Sequence, residues 1–297
     1  MIWLGLVLAP PSIRAETFRV ATYNVDNYLD AATQTRREKR AEAKAAVRAS
    51  IRAVQPQVLA LQEMGTPGAL EELRAALKAE GLDYPYWEHV SGHDTNVHVA
   101  ILSQFPLVAR RSHTNESFLL SGRRFWVSRG FGEVDIQVKT NYSFTLITAH
   151  LKSRRVAPEA DEAELRLEEA KLLREKIEAR LAINPQANLV VAGDFNDTQD
   201  TAPVKTILGR GKRKLLDTRP AERHGDGSSE VVQETSPVTW TYYYAKEDSY
   251  ARIDFVLASP GMAREWVTNE TYVLRMPNWG VGSDHRPLVA TFEAQDK

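Results

Sequence analysis

Eight short runs of strand-forming residues recur along the chain, and several are apolar at nearly every position. Uninterrupted apolar runs such as L-V-V-A are typical of strands buried on both faces, which need a covering layer on each side. The predicted strands are 17–24, 58–63, 97–103, 132–139, 143–150, 188–194, 252–258 and 287–292.

Helical periodicity lies between some of these strands, at residues 34–54, 67–80 and 158–183. Gln55-Pro56 closes the first segment and Gly81 follows the second, as expected at helix ends. Strands that alternate with helices predict an α/β protein, and consecutive strand runs favour mixed sheets. Residues 207–238 contain four glycines and are predicted to form a surface loop.

The composition is that of a globular protein, with 297 residues, a formal net charge of -1 and no cysteine. Disulfides, thiolate metal ligands and a cysteine nucleophile are therefore excluded. A near-neutral chain that acts on nucleic acid needs a local basic surface, since its overall charge gives no attraction. No linker or repeat divides residues 16–297, which are predicted to form a single domain.

Residues 1–15 begin with a short apolar run and end at Ala15. The run is too short to span a bilayer, and it resembles a secretory signal peptide cleaved after Ala15. We therefore expect export to the periplasm or medium. A disordered N-terminus is the alternative, because no Lys or Arg precedes the run and Arg14 lies near the cut; the protein would then be cytoplasmic. We expect no stable membrane insertion and no obligate protein partner.

Polar residues of a restricted set stand at the ends of the apolar runs. A carboxylate directly after a buried strand is costly unless water, a metal or a hydrogen-bond partner receives it. Several such residues together indicate strand ends that meet at one site. The residues are Asn24, Glu63, His150, Asp194, Asn196, Asp254, Asp284 and His285.

Each of these residues also has an ordinary structural interpretation when taken alone. Asn24 is typical of a turn, Glu63 of a solvated strand end, and His150 of a structural histidine. Asp194 could form an Asx-turn after Gly193. The others could belong to a surface ion pair or to a hydrogen-bonded loop. Only their joint occurrence favours catalysis.

The motifs Y-N, Q-E, A-H-L, G-D-F-N, R-I-D-F and S-D-H-R-P, in this order, resemble those of the endonuclease/exonuclease/phosphatase superfamily. The resemblance covers about residues 17–293, and G-D-F-N followed by S-D-H is its most specific part. It implies an α/β fold, namely a four-layer sandwich of two face-to-face mixed β-sheets with helices on the outer faces. The active site is then expected at one edge of the sandwich.

The resemblance also implies a metal site. Glu63 is the best candidate ligand, with Asn24 beside it and Asp284 nearby. Oxygen ligands of this kind suit Mg²⁺ or Mn²⁺ better than a soft metal. We therefore expect a divalent-metal-dependent phosphoesterase.

Catalytic roles follow from the same resemblance. Asp194 matches the residue that orients or deprotonates the attacking water, and Asn196 would hold the phosphate and water in line. His285 matches the histidine that binds the phosphate, with Asp254 fixing its tautomer. His150 would be a second phosphate-facing histidine.

The substrate is expected to be a phosphoester, and nucleic acid cleaved with little sequence specificity is the first hypothesis. Arg129 matches a family arginine near the phosphate, and Lys152, Arg154 and Arg155 directly follow the A-H-L motif. Such side chains suit backbone phosphates rather than base edges. The basic stretch after Gln34 is interpreted as solvated helix surface.

Three alternatives stay open from the sequence. A phospholipid substrate would need exposed aromatics, for which Trp279 and residues 240–244 are candidates, although the latter are better interpreted as a strand. Small phosphates such as inositol phosphates or nucleotides are a second alternative. A binding module without turnover is the third. His98 could contact substrate or lie at the edge of the core, and the core interpretation is slightly favoured.

Overall fold

The computed structural model of the protein describes residues 16–224 and 239–296. The predicted signal peptide therefore lies outside the described residues, as does the part of the predicted loop from 225 to 238. None of the helices in the described part is both long enough and apolar enough to cross a membrane.

The chain alternates strands with a few helices. Its strands are β1 (Thr17–Tyr28), β2 (Val58–Met64), β3 (Tyr86–Val90), β4 (His98–Ser103), β5 (Leu107–Arg110), β6 (Ser117–Leu120), β7 (Arg123–Trp126), β8 (Phe131–Lys139), β9 (Tyr142–His150), β10 (Leu189–Asp194), β11 (Leu216–Asp217), β12 (Ala221–His224), β13 (Tyr242–Tyr244), β14 (Ser249–Ala251), β15 (Asp254–Ala258), β16 (Tyr272–Arg275) and β17 (Leu288–Glu293). Its α-helices are α1 (Ala41–Val54), α2 (Pro67–Ala79), α3 (Glu162–Ile183), α4 (Ala202–Leu208) and α5 (Trp279–Gly282). Single-turn 3₁₀ helices lie at Gly211–Arg213, Met262–Arg264 and Thr268–Glu270.

Two sequence predictions are wrong, namely the start of the first helix and the extent of the loop from residue 207. Helix α1 begins at Ala41 instead of residue 34, because residues 30–40 form a loop. The buried Lys39 ammonium lies 2.7 Å from the carbonyl oxygen of Asp26 and donates to it, which holds the loop against the end of β1. The segment predicted as loop from residue 207 contains the end of α4, a 3₁₀ turn and strands β11 and β12.

The larger strands form two mixed sheets. One has seven strands in the order β12-β16-β17-β1-β2-β4-β3, and the other has six in the order β11-β15-β10-β9-β8-β5. Strands β1 and β2 run parallel, as do β9 and β10, whereas β17 and β15 run antiparallel to β1 and β10. Two small hairpins, β6-β7 and β13-β14, stand apart from these sheets.

The sheets pack face to face over one buried apolar cluster that includes Phe18, Val20, Ile101, Val190 and Val256. A second cluster joins the outer face of the seven-stranded sheet to α1 and α2, and a third joins the six-stranded sheet to α3 and α4. The predicted four-layer α/β sandwich is thereby confirmed. It accounts for the apolar runs, since the central strands are covered on both faces.

Strand direction places the chemically active residues at one edge of the sandwich. The carboxyl ends of β1, β2, β9 and β10 meet there, because each of these pairs is parallel. The antiparallel strands β15 and β17 begin at the same edge, so the residues at their starts join the others. A hydrogen bond of 3.0 Å from the Asn24 amide to Asp194 Oδ2 links the two sheets at this point.

Gly193 lets β9 and β10 approach closely beside the site. Its φ is +151°, and a Cβ there would lie 2.0 Å from the carbonyl oxygen of Ala149. Gly193→Ala is expected to lower the free energy of unfolding by about 3 kcal/mol or more, through backbone strain and overpacking. Urea unfolding measures this loss. Gly81→Ala is the control, because Gly81 has φ +89° but open space around it, so it should cost only about 1–2 kcal/mol. Equal losses for the two variants would contradict the close-approach argument.

Candidate active site

The carboxylate of Asp194 lies at the centre of the edge cluster and is almost fully buried. Its Oδ1 accepts the backbone N–H of Asn196 at 2.8 Å, and its Oδ2 accepts the Asn24 amide at 3.0 Å. The same Oδ2 lies 3.5 Å from His150 Nε2 and 3.7 Å from His285 Nε2. Burial raises the pKa of Asp194 to about 7, against the lowering effect of His285. Two imidazoles and the Asn24 amide thus converge on a single carboxylate oxygen.

His285 is held in orientation from both of its ends. Its Nδ1–H donates to Asp254 Oδ2 at 2.8 Å, and its backbone N–H donates to Ser283 Oγ at 3.0 Å. Burial lowers the pKa of His285, but the carboxylates of Asp254 and Asp194 outweigh burial and raise it to about 10. The raised pKa favours the cationic ring, whose Nε2 lies 3.7 Å from Asp194 Oδ2.

His150 differs from His285 in its electrostatic environment. It is buried at the end of β9, and its Nδ1 has no hydrogen-bond partner among the described residues. Burial and the positive charge of Arg129 lower the pKa of His150 well below its ordinary value. A neutral and a cationic imidazole therefore face the same carboxylate, and each carries an N–H that can donate a hydrogen bond to an anion.

Asn196 follows Asp194 in a left-handed conformation, with φ 53°. Its side-chain amide donates to the carbonyl oxygen of Leu151 at 2.9 Å, which ties the loop after β10 to the end of β9. The predicted catalytic residues are therefore neighbours in space, although they come from separate parts of the sequence. Their catalytic roles stay predictions.

The predicted metal ligands lie beside this cluster. Glu63 interrupts the pairing of β2 with a left-handed φ of 59°, so the strand bulges at that residue. Its Oε2 accepts the backbone N–H of Asn27 at 3.1 Å. The Asp284 side chain is 48% exposed, and partial desolvation raises its pKa together with the negative charges of Asp26 and Glu63. Like charges held together at a strained residue are typical of a functional site.

A second group of possible donor atoms was not predicted as a metal site. One ligand atom each from Asp194, Asp254 and His285 lies within 4.8 Å of the others. The hydrogen bond from His285 to Asp254 already explains two of these three residues. The oxygen donors of Glu63, Asn24 and Asp284 have the chemistry that a hard divalent cation prefers.

The predicted substrate-binding residues have different surroundings. Arg129 is buried, with Nε 3.5 Å from Asp94 Oδ2 and Nη1 donating to the carbonyl oxygen of Leu151. The Lys152 ammonium donates to two backbone carbonyls of its own loop, and Arg154 pairs with Asp197 at 2.9 Å. Each of these side chains thus already has protein partners, and their contacts with substrate stay predictions.

Two features of the site were missed in the sequence. The loop at residues 30–40 brings Arg36 close to Glu63, at 3.6 Å. The Tyr242 ring packs on His285, with 4.7 Å between ring centroids. A signal for the first was present, because residues 33–40 contain no apolar residue and cannot form an amphipathic helix. His98 is buried at the start of β4 against His89, in agreement with the core interpretation.

Comparison with known proteins agrees with the motifs. The sequence model of the Endonuclease/Exonuclease/phosphatase family matches residues 21–285, which confirms the resemblance. A search of curated proteins finds no match.

Solved structures show the same fold at low sequence identity. The human Nocturnin catalytic domain with bound sulfate anion has a TM-score of 0.63 and 15% identity, over 94% of this chain and 95% of that one. An endonuclease/exonuclease/phosphatase from Bacteroides vulgatus has a TM-score of 0.63 and 16% identity, over 94% and 100%. TDP2 from D. rerio, complexed with a single strand DNA product, has a TM-score of 0.60 and 17% identity, over 93% and 99%.

Proposed function

Because the chain belongs to the Endonuclease/Exonuclease/phosphatase family, we propose that it is a divalent-metal-dependent phosphodiesterase that cleaves nucleic acid with little sequence specificity. Family membership itself supports a phosphoester hydrolase. The observation that carries the proposal is the convergence of His150 and His285 on one buried oxygen of Asp194. A carboxylate flanked by a neutral and a cationic imidazole suits attack of water on an anionic phosphoester.

The residues present fit a hard cation. Glu63, Asn24 and Asp284 would hold Mg²⁺ or Mn²⁺, since all three offer oxygen donors and two carry negative charge. A bound ion of this kind would act as a Lewis acid on a phosphoryl oxygen.

The protein side chains would supply the remaining chemistry. Asp194 would accept a proton from the attacking water, and Asn196 would position that water. His285 would donate its Nε2 proton in a hydrogen bond to the phosphate, because Asp254 occupies its other nitrogen. The neutral His150 would donate a hydrogen bond from its ring N–H to the leaving oxygen, which would take its proton from solvent water. Preorganised donors of this kind stabilise the charge that develops in the transition state.

Aromatic side chains beside the site favour nucleic acid over small phosphates. Tyr242 packs on His285, and Tyr244 stacks on Tyr242 with 6.3 Å between centroids. Trp240 and Trp279 pack together nearby, 4.9 Å apart. Bases of a single strand stack on aromatic faces without regard to sequence. A protein of this fold, D. rerio TDP2, has been solved in complex with a single strand DNA product, which supports the proposal.

A substrate panel tests this proposal. Hydrolysis of bis-p-nitrophenyl phosphate is expected with Mg²⁺ or Mn²⁺ and not in excess chelator. Plasmid DNA and RNA are expected to be cleaved faster than sphingomyelin, inositol phosphates or mononucleotides at equal phosphate concentration. A clear preference for sphingomyelin or an inositol phosphate would contradict the nuclease assignment. No turnover of any member would favour a binding module.

A further inference from the structure

A cavity of about 330 Å³ lies between the loop at residues 30–40 and the segment that follows β9. Four cationic side chains line it: Arg36, Arg37, Lys39 and Arg155. Asp26 and Glu38 are the carboxylates in its wall. The excess of positive charge makes it suitable for an anion.

Two of the four cations are committed to the protein. Lys39 donates to the Asp26 carbonyl oxygen, with its ammonium 3.8 Å from the Asp26 carboxylate. Arg36 donates to the side chain of Asn27 and lies 3.6 Å from Glu63. These contacts fix the loop in place beside a candidate metal ligand. Arg36 lines the cavity and also contacts Glu63, so the cavity adjoins the proposed catalytic site.

The other two cations are available for a ligand. Arg37 and Arg155 are exposed, and neither pairs with a carboxylate among residues 16–224 and 239–296. Arg155 also lies within electrostatic range of the Tyr242 hydroxyl, and the Tyr242 ring packs on His285. Of the three basic residues in the segment after β9, it is Arg155 that lines the cavity; Lys152 and Arg154 bind neighbouring protein groups.

We propose that this cavity is a subsite for a second phosphate of the substrate, next to the scissile one. The proposal rests on the proposed function and deepens it, because it assigns the enzyme to substrates with at least two phosphates. Guanidinium groups match phosphate oxygens with paired hydrogen bonds, and phosphate is the anion that a phosphoester substrate supplies. In a nucleic-acid strand a neighbouring phosphate is present whatever the bases are, so such a subsite binds strands of any sequence.

Thymidine dinucleotides provide the probes. The dinucleotide dTpdT has only the scissile phosphate, whereas pdTpdT and dTpdTp each carry one more, at opposite ends. We expect the wild-type protein to have a KM at least about fivefold lower for one of the two extended dinucleotides, as charge-assisted contacts at an exposed site give. The preferred end identifies the direction in which the strand lies.

A double variant tests the residues. Arg37→Ala with Arg155→Ala should remove the preference for the extra phosphate, and its effect on the KM for dTpdT, which lacks that phosphate, should be much smaller. Arg40→Ala is the matched control, since Arg40 is an exposed arginine of the same loop that does not line the cavity. It should retain the preference.

Binding measurements separate this inference from the proposed function. Calorimetry with the Asp194→Asn protein measures affinity for the three dinucleotides without turnover. Equal affinity for all three, together with hydrolysis of bis-p-nitrophenyl phosphate by the wild type, would overturn the subsite and leave the phosphodiesterase intact. Tighter binding of an extended dinucleotide without any wild-type hydrolysis would support the subsite and refute the proposed function. A preference that survives in the double variant would also refute the assignment to Arg37 and Arg155.

Discussion

Asp194→Asn and His285→Ala are each expected to lower kcat by roughly two orders of magnitude or more, the range that general acid–base catalysis commonly supplies. Asparagine keeps the size of Asp194 but can accept only one of the two hydrogen bonds from the Asn196 N–H and the Asn24 amide, and it cannot accept a proton from water. Alanine removes the Nε2 donor that lies 3.7 Å from Asp194 Oδ2. If both residues act mainly in the transition state, KM should change much less than kcat.

The double variant should lose much less than the product of the two single losses, because both groups act on one water and one phosphate. Asp217→Asn is a matched control, since Asp217 is a poorly exposed carboxylate that pairs with Arg252 at 2.6 Å outside the catalytic cluster. It should leave kcat near the wild-type value. A lowered melting temperature with near-normal kcat in Asp194→Asn and His285→Ala would show that these residues only hold their loops together.

Glu63→Gln is expected to abolish most metal-dependent activity. The substitution keeps the size of the side chain and removes the charge that attracts a divalent cation. Affinity for Mn²⁺ should fall at least about tenfold, the loss that even an outer partner of a metal site commonly causes. Calorimetric titration of Mn²⁺ into the purified protein measures this directly, and hydrolysis of bis-p-nitrophenyl phosphate measures its consequence.

A second glutamate near the same sheet serves as the comparison. Glu72 is partly exposed and pairs with Lys44 at 2.7 Å, so Glu72→Gln should bind Mn²⁺ as the wild type does. Full activity of the wild type in excess chelator would contradict the metal requirement altogether. Unchanged Mn²⁺ affinity in Glu63→Gln would instead indicate that the metal binds other residues. The next candidates are then Asp194, Asp254 and His285.

The residue pattern predicted an α/β protein and the types of residue at the site, and the family resemblance of the motifs implied the four layers. Apolar runs identified the central strands, since a strand covered on both faces must be apolar at consecutive positions. The polar residues at their ends, such as Asn24, Asp194 and His285, stood out because a buried strand does not tolerate them without a partner. Motif order then indicated the family, which the match over residues 21–285 confirms.

The start of helix α1 was predicted wrongly because charged residues dominate the local sequence pattern. Residues 34–40 resembled the start of a helix because they are rich in Arg, Lys and Glu, which are good helix formers. The buried contact of Lys39 with Asp26 decided otherwise. Such a contact joins two segments that lie apart in sequence, so local propensity carries no information about it.

The packing of the two sheets brings these residues together and sets the direction in which their pKa values shift. Asn24 and Asp194 lie on different sheets, and they touch because the two sheets pack face to face. The opposite pKa directions of His150 and His285 follow from burial near Arg129 in one case and near two carboxylates in the other. The role proposed for Arg37 and Arg155 likewise arises from a loop folding back over the site. Distances across sheets and loops depend on packing of the whole chain, whereas the sequence pattern reports only on the surroundings that each residue requires.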